Sequence, residues 1–388
     1  MGFLDRLASS PYMPSARTWL LTALGALLLF SLMMVLSSSI PFAIASNLSD
    51  LKFFVAHLTY IGVAVMVGCV AYCLPLKLYY RMDALIAVFF VMIGLLLATL
   101  LIAEPVNGSR RWLQVGSLNF QTAELAKVFF VLVIADYMTR RSADVRTNMI
   151  SATWVLLVWY LPVLLLLYFQ PDFGSIVVIV ATTVVLFFIG GAPKRQYIPI
   201  LIAVVTIGAL VLLNADYRHS RVFSFMNPYD DVMGTDYQLS RSLGAYARGE
   251  WVGVGYGNSI QKLNHLPEAH TDFVLAIVGE EFGFFGVSVV IILLLIVIAA
   301  IMRISYKSLV RRQLKLSYTA FGFGVVIFGQ VIINAGMTMG ILPTKGLTLP
   351  FFSYGGSAML FAMIMIAIVL KIDKDSPKIS QRGESREY

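Results

Sequence analysis

Charge is the scarcest resource in this chain. Only 13% of its 388 residues are Asp, Glu, Lys or Arg, against roughly 25% in a soluble globular protein. With 59% hydrophobic residues, no single soluble core could hide the apolar surface, so the excess must face lipid or other membrane helices. Cysteine is nearly absent. Cys69 and Cys73 stand four apart on one predicted helix and read as two small apolar side chains, not a disulfide scaffold or redox pair. The 4 histidines are scattered without ligand spacing, which removes a zinc signature. A cleavable leader is not expected either, because the first apolar run, 18–39, lacks a small-residue cleavage site. "MGFLDR" carries Arg6 where myristoylation requires Ser or Thr.

What is present is a succession of long apolar runs, and a spanning helix needs about 20 apolar residues. The expected spans are 18–39, 52–74, 83–103, 122–138, 150–169, 174–190, 197–214, 272–302, 317–337 and 353–371. All should be helical, because hydrocarbon offers no partner to an open backbone group. The eighth is long and should tilt or project beyond the bilayer. The fold class expected is all-α, a polytopic membrane protein of about ten transmembrane helices. One membrane domain would occupy 1–371, including a long extracytoplasmic loop at 215–271, followed by a disordered cytoplasmic tail at 372–388.

The net charge is +8, but position matters more than the sum. With the N-terminus inside, every inside segment carries at least two Lys or Arg residues. They include Arg17, Lys77, Arg81, Arg140, Arg141, Lys194, Arg303, Lys307 and the tail from Lys371. That is the positive-inside pattern, and nucleic acid is not an expected partner. Arg110, Arg111, Arg218, Arg221, Arg241, Arg248, Lys262 and Lys345 then fall outside. Either long loops tolerate them or they meet an anion.

Three outer segments carry candidate chemistry. In "NGSRRWLQVGSLNFQTAELAK", Asn107–Gly108 marks a turn and Arg110 and Arg111 flank the interfacial Trp112. Thr122 is placed to cap the next helix. Glu124 and Lys127, at i and i+3, can pair. Ionisable groups within a span are costly and often functional, so the pair is either a structural lock or an anchor for an anionic ligand. In "NHLPEAHTDFVLAIVGEE", Thr271 or Asp272 would cap the eighth helix. Asp272 would equally serve as a general base, its pKa raised by desolvation. Glu268 and His270 could tune it or hold a metal, while Glu280 and Glu281 read as packing or polar-network residues. In "GILPTKGLTLPFFSYGGSAM", Pro343, Gly346 and Pro350 break the helix and Lys345 is the lone cation. Broken backbone at that depth fits a cavity wall. The segment "DYQLSRSLGAYARGE" should be a short helix in the long loop, with Asp236 as N-cap and Gly249 as stop. "GVGYG" at 253–257 lacks the threonine of a potassium filter, and "PDFG" at 171–174 has none of a kinase's other motifs. Asp172, at an outer helix end, remains a candidate for the site.

Taken in order, "NGSRRW", "QTAELAK", "QPDFG", "GEWVGVGYGNSIQKLNHLPEAHTDF", "GEEFG" and "LPTKGLTLPFFSYGGSA" resemble the SEDS proteins (shape, elongation, division and sporulation) across essentially the whole chain. "NGSRRW" and "PTKGLTLPFFSYGGSA" are similar to the division branch, since the elongation branch usually has an apolar residue where Lys345 stands. Thr122 departs slightly from a slot often filled by proline or another small residue. The resemblance implies a ten-helix fold and a peptidoglycan glycosyltransferase that polymerises lipid II outside the cytoplasmic membrane. It implies that Asp272 is the essential acid and that Arg110, Lys127 and Lys345 are functional cations. The implied partners are a class B penicillin-binding protein and the small bitopic division proteins, at the septum. No cofactor is assigned for certain; a divalent cation, Mg or Mn, could assist Arg110 and Lys345 at the pyrophosphate. Arg111 and Lys127 would steady the same region. A lipid II flippase and a non-catalytic division scaffold are the rival readings. The crowding of candidate charges at one face favours an enzyme, because transporters place such groups near the midplane.

Overall fold

The computed structural model describes residues 15–105, 109–115, 118–147, 156–194, 198, 202, 237–344 and 346–376. Helix α1 spans Ala16–Ala45, α2 Lys52–Cys73, α3 Met82–Ile102 and α4 Thr122–Arg140. A π-helical turn, Leu156–Tyr160, leads into α5, Leu161–Phe169, and α6 runs Phe173–Ile189. Then follow α7 Tyr237–Gly249, α8 Val274–Val310, α9 Leu314–Thr338 and α10 Gly356–Asp375. Six of these, α1, α2, α3, α8, α9 and α10, are long and apolar enough to cross a membrane. The shorter apolar helices at 158–169 and 173–189 match two further expected spans. The chain is a multi-pass membrane protein. The span expected at 197–214 and the loop at 216–235 lie outside the described residues, apart from positions 198 and 202.

The centre of the bundle is α4. Nearly every side chain from Thr122 to Met138 is buried, including Glu124, Lys127 and Asp136. It packs on α3, α6, α9 and α10, so its charges are tolerable only because protein, not lipid, surrounds it. The outer helices show the opposite pattern. Phe90, Leu101 and Ile102 on α3 are more than two-thirds exposed, as side chains facing hydrocarbon should be.

Two features depart from an all-helical reading. The segment before α4 forms an antiparallel hairpin, β1 Leu113–Val115 with β2 Leu118–Phe120, in the register Leu113 with Phe120 and Val115 with Leu118. And α8, at 37 residues, would be about 55 Å long if straight. It is broken at Gly283, whose φ of 64° lies in the left-handed region. The break is filled by the loop after α7. Phe284 N donates to Glu250 O at 2.9 Å and Phe285 N to Trp251 O at 3.2 Å, while Val254 N and Gly255 N donate to Glu280 O and Glu281 O at 3.0 Å. A Cβ on Gly283 would sit 2.5 Å from Gly253 N and 2.6 Å from Trp251 C, so only glycine fits. The "GVGYG" stretch thus serves close backbone approach.

Helix α7 forms where expected, with Leu239 buried and Arg248 turned to the loop; Asp236 lies outside the described residues. Glu280 and Glu281, both fully buried, fasten this outer layer to α8. Glu280 accepts from Arg248 Nη1 at 2.6 Å, Ile260 N at 3.0 Å, Gln261 N at 3.2 Å and the Ser259 hydroxyl. Glu281 accepts from Lys262 Nζ at 2.7 Å and Ser37 Oγ at 2.6 Å. The expectation of a polar network there is met, and Arg248 and Lys262 are occupied by it.

Candidate active site

The start of α8 is where the chain changes from loop to membrane helix. Phe273 holds the N-cap position and no side chain caps the helix. The expected cap by Thr271 or Asp272 is therefore corrected. Thr271 Oγ1 turns back to donate to Glu268 Oε2 at 2.6 Å. Two backbone amides, Thr271 N and Phe273 N, close the turn on Glu268 O at 3.2 and 3.1 Å. The Asp272 carboxylate is left free of capping duty.

Its surroundings shape its acidity. Burial pushes the Asp272 carboxyl up to about 7, the negative Glu268 adds to the rise, and the Arg111 guanidinium opposes it. Glu268 itself is exposed, with φ at 57°. A carboxyl titrating near neutrality is suited to take a proton in one step and release it in another.

Arg111 and Asp272 meet at Gly346. A Cβ placed there would lie 3.1 Å from Asp272 Oδ2 and 3.3 Å from Arg111 Nη1. Arg111 donates through Nη2 to Pro171 O, and its buried Nε has no partner. Lys345, next in the chain, lies outside the described residues. The backbone of this segment is pinned from α9. Asn334 Nδ2 donates to Asp272 O at 2.9 Å and to Leu347 O at 2.6 Å. On the far side Ser31 Oγ donates to Phe352 O at 2.6 Å and meets His57 Nε2 at 2.7 Å.

The other candidates separate. Arg110 is exposed and donates to Leu100 O at 3.1 Å, so the adjacent arginines diverge. His270 is enclosed by Phe42, Phe53 and Tyr354, with ring centroids 5.0, 5.1 and 5.5 Å away. Burial lowers its pKa, partly offset by Glu268. Its carbonyl accepts from Tyr354 N at 3.1 Å, so it latches the loop before α10 beside Asp272. Glu124 and Lys127 pair at 2.5 Å, almost fully buried and both on α4. The pair does not bridge two helices. Gln121, not Thr122, takes the cap position of α4, and it caps with no side-chain bond. Gln121 instead donates through Nε2 to Asp172 Oδ2 at 3.1 Å and through its main-chain N–H to Ser357 Oγ at 2.9 Å. Asp172 also accepts from Ser175 N at 3.3 Å as the cap of α6. Asn334 escaped the sequence reading, although the side-chain amides within the apolar "QVIINAGM" were a visible signal. Among the described residues no group of three or more His, Cys, Asp and Glu could hold a metal. Asp272 and Glu268 alone do not make a cation cage.

The sequence pattern of the cell cycle protein family, which groups FtsW, RodA and SpoVE, matches residues 18–378. The chain belongs to this family. Relatives in it include the probable peptidoglycan glycosyltransferase FtsW of Acinetobacter baylyi, 41% identical over 96% of this chain and 93% of that protein. That of Tolumonas auensis is 42% identical over 88% of each. Among solved structures, a chain from a study of how a peptidoglycan synthase complex coordinates polymerization and crosslinking superposes with a TM-score of 0.68. It is 24% identical and covers 90% of this chain and 97% of its own length. The rod shape determining protein RodA of Thermus thermophilus gives 0.66 at 22% identity, covering 92% of this chain and 97% of its own. At these identities the likeness is one of fold.

Proposed function

We propose that this chain is a peptidoglycan glycosyltransferase that polymerises lipid II into β-1,4 glycan strands during septal wall synthesis. The carrying observation is Asp272, an acid raised to about 7, free of capping duty, beside Arg111 at the rim of a membrane bundle. FtsW relatives at about 40% identity support the same reading.

Asp272 takes the proton from the 4-hydroxyl of the acceptor's N-acetylglucosamine. That oxygen attacks the anomeric carbon of the lipid-linked donor from the opposite face. The carbon–oxygen bond to the pyrophosphate breaks, the α-linkage becomes β, and polyprenyl pyrophosphate leaves with the electron pair. Arg111 is placed to meet the developing negative charge, and its fork suits phosphate oxygens. Arg110, exposed on the neighbouring segment, would add positive charge, as would Lys345 by its place next to Gly346 in the sequence. The Lys127–Glu124 pair, closed on itself, orders the start of α4 beneath the hairpin. The reaction needs the outer face of the bacterial cytoplasmic membrane, with both termini inside. A class B penicillin-binding protein, with other membrane proteins of the divisome, would crosslink the product. The synthase-complex structure supports that kind of pairing.

The test uses purified protein with its transpeptidase and labelled lipid II. Wild type should give glycan ladders and a folded Asp272→Asn variant none. Equal ladders from both would remove Asp272 from the chemistry. No ladder from wild type, together with lipid II movement between leaflets, would replace the polymerase with a flippase.

A further inference from the structure

At the end of the bundle opposite Asp272, three basic side chains gather over one ring. The Arg17 guanidinium lies 5.9 Å from the centroid of Tyr72, the Lys371 ammonium 5.7 Å and the Lys374 ammonium 5.3 Å. The cluster draws on three helices: Arg17 from the first turn of α1, the Tyr72 ring from the last turn of α2, and the lysines from the end of α10. Phe42, near the other end of α1, touches His270 beside Asp272. About 37 Å of helix separates it from Arg17.

The charges do not balance. Lys371 pairs with Asp375 at 3.2 Å, but the neighbouring Asp373 is held by Lys307 at 2.6 Å. Arg17 and Lys374 have no carboxylate within ion-pair reach among the described residues. A lysine at the end of α10 is favoured by the helix dipole, whereas Arg17 sits at the positive end of α1, where the dipole opposes it. Basic residues near helix ends are ordinary at an inner membrane surface. Their convergence on a single ring is not, because each cation raises the cost of the next unless an anion joins them.

The surface beneath tells which anion. Val65, Cys69 and Tyr72 follow one another at i, i+4 and i+7 on α2, and Val65 and Cys69 are both exposed. Trp19, two residues from Arg17, is 40% exposed. A cationic rim thus stands above the exposed apolar face of α2. A soluble phosphate could use the rim and not that face.

We propose that Arg17, Lys371 and Lys374 seat the phosphate of an anionic phospholipid, whose acyl chain runs down the face made by Cys69 and Val65. The lipid phosphate lowers the cluster's net positive charge and ties the first, second and last described helices together.

The test reconstitutes the full chain into phosphatidylcholine nanodiscs with increasing phosphatidylglycerol. It follows the unfolding midpoint, and counts retained lipids by native mass spectrometry. Phosphatidylglycerol should raise the wild-type midpoint and remain bound. In the Arg17→Gln, Lys371→Gln, Lys374→Gln triple variant the half-effect should need roughly tenfold to a hundredfold more lipid. Should the triple variant not fold, Lys374→Gln alone, at an exposed position, should weaken the response about fivefold. An unchanged phosphatidylglycerol response in the variants overturns the site. So does equal protection of wild type by soluble glycerol phosphate, which would make the ligand a free anion.

Discussion

Asn334 ties Asp272 to Leu347: one amide nitrogen donates to both main-chain carbonyls, at 2.9 and 2.6 Å. Both of its hydrogens are used, so the bond pair sets the spacing between the loop that carries the acid and the loop that carries Gly346. Asn334→Ala leaves two buried carbonyls unmet, and Asn334→Asp faces them with an acceptor. Both should lower kcat roughly 10- to 100-fold by displacing the acid, with KM for lipid II little changed. Steady-state kinetics on folded protein check this. A merely structural role would reduce yield and leave kcat intact.

The pH profile follows from the same acid. As a base, Asp272 works ionised, so the rate should fall as pH drops through about 7. Glu268→Gln removes a charge that raises this pKa and should move the limb to lower pH. Arg111→Gln removes one that lowers it and should move the limb upward. Asp272→Asn should abolish the limb along with about 100-fold or more of the rate. Polymerisation rates across pH read all three variants.

Stability should respond with the opposite sign. The folded-state pKa of Asp272 lies above its ordinary value of 3.8, so folding favours the protonated form. Its contribution is full below that value and lost as pH rises through about 7. Asp272→Asn should therefore unfold at a higher temperature than wild type at pH 8 and at nearly the same temperature at pH 4. Thermal unfolding in detergent at the two pH values checks this.

Gly346→Ala places a methyl group against both Asp272 Oδ2 and Arg111 Nη1. Wedging the acid from its cation should lower kcat about tenfold, with the unfolding midpoint little changed. Glycan ladders beside an unfolding curve separate the two effects.

Glu280→Ala strands the partly exposed Arg248 and unties Ser259, Ile260 and Gln261. Arg248 keeps its access to solvent, so the loss comes mainly from the orphaned donors, about 1–3 kcal/mol for each one left buried. Limited proteolysis should cut within 250–263 in the variant and spare wild type.

The lipid-facing architecture was legible because lipid imposes a simple rule. Long apolar runs and their Lys and Arg flanks marked α2, α3, α9 and α10 within a few residues, and α1 and α8 with their far ends placed too early. Asp272 was legible as an acid out of place at a helix start. What escaped depends on main-chain pairing that apolar runs do not mark. The hairpin needs Phe120 to find Leu113, and the Gly283 break needs the backbone of Glu250 and Trp251. His270 looked like a ligand until Phe42, Phe53 and Tyr354 closed around it. The proximity of Arg111 to Asp272 arises from a third segment, Gly346, and no local pattern announces it.

The break at Gly283 also bears on biogenesis. Glu250 and Trp251 leave the ribosome before Phe284 and Phe285, whose amides they accept. The loop must therefore be delivered to its own side of the membrane first and wait there for its partner. When α8 inserts, its broken turn arrives with amides that hydrocarbon cannot satisfy. Insertion of that helix is completed only when the loop docks on it, which joins translocation and tertiary assembly in one step.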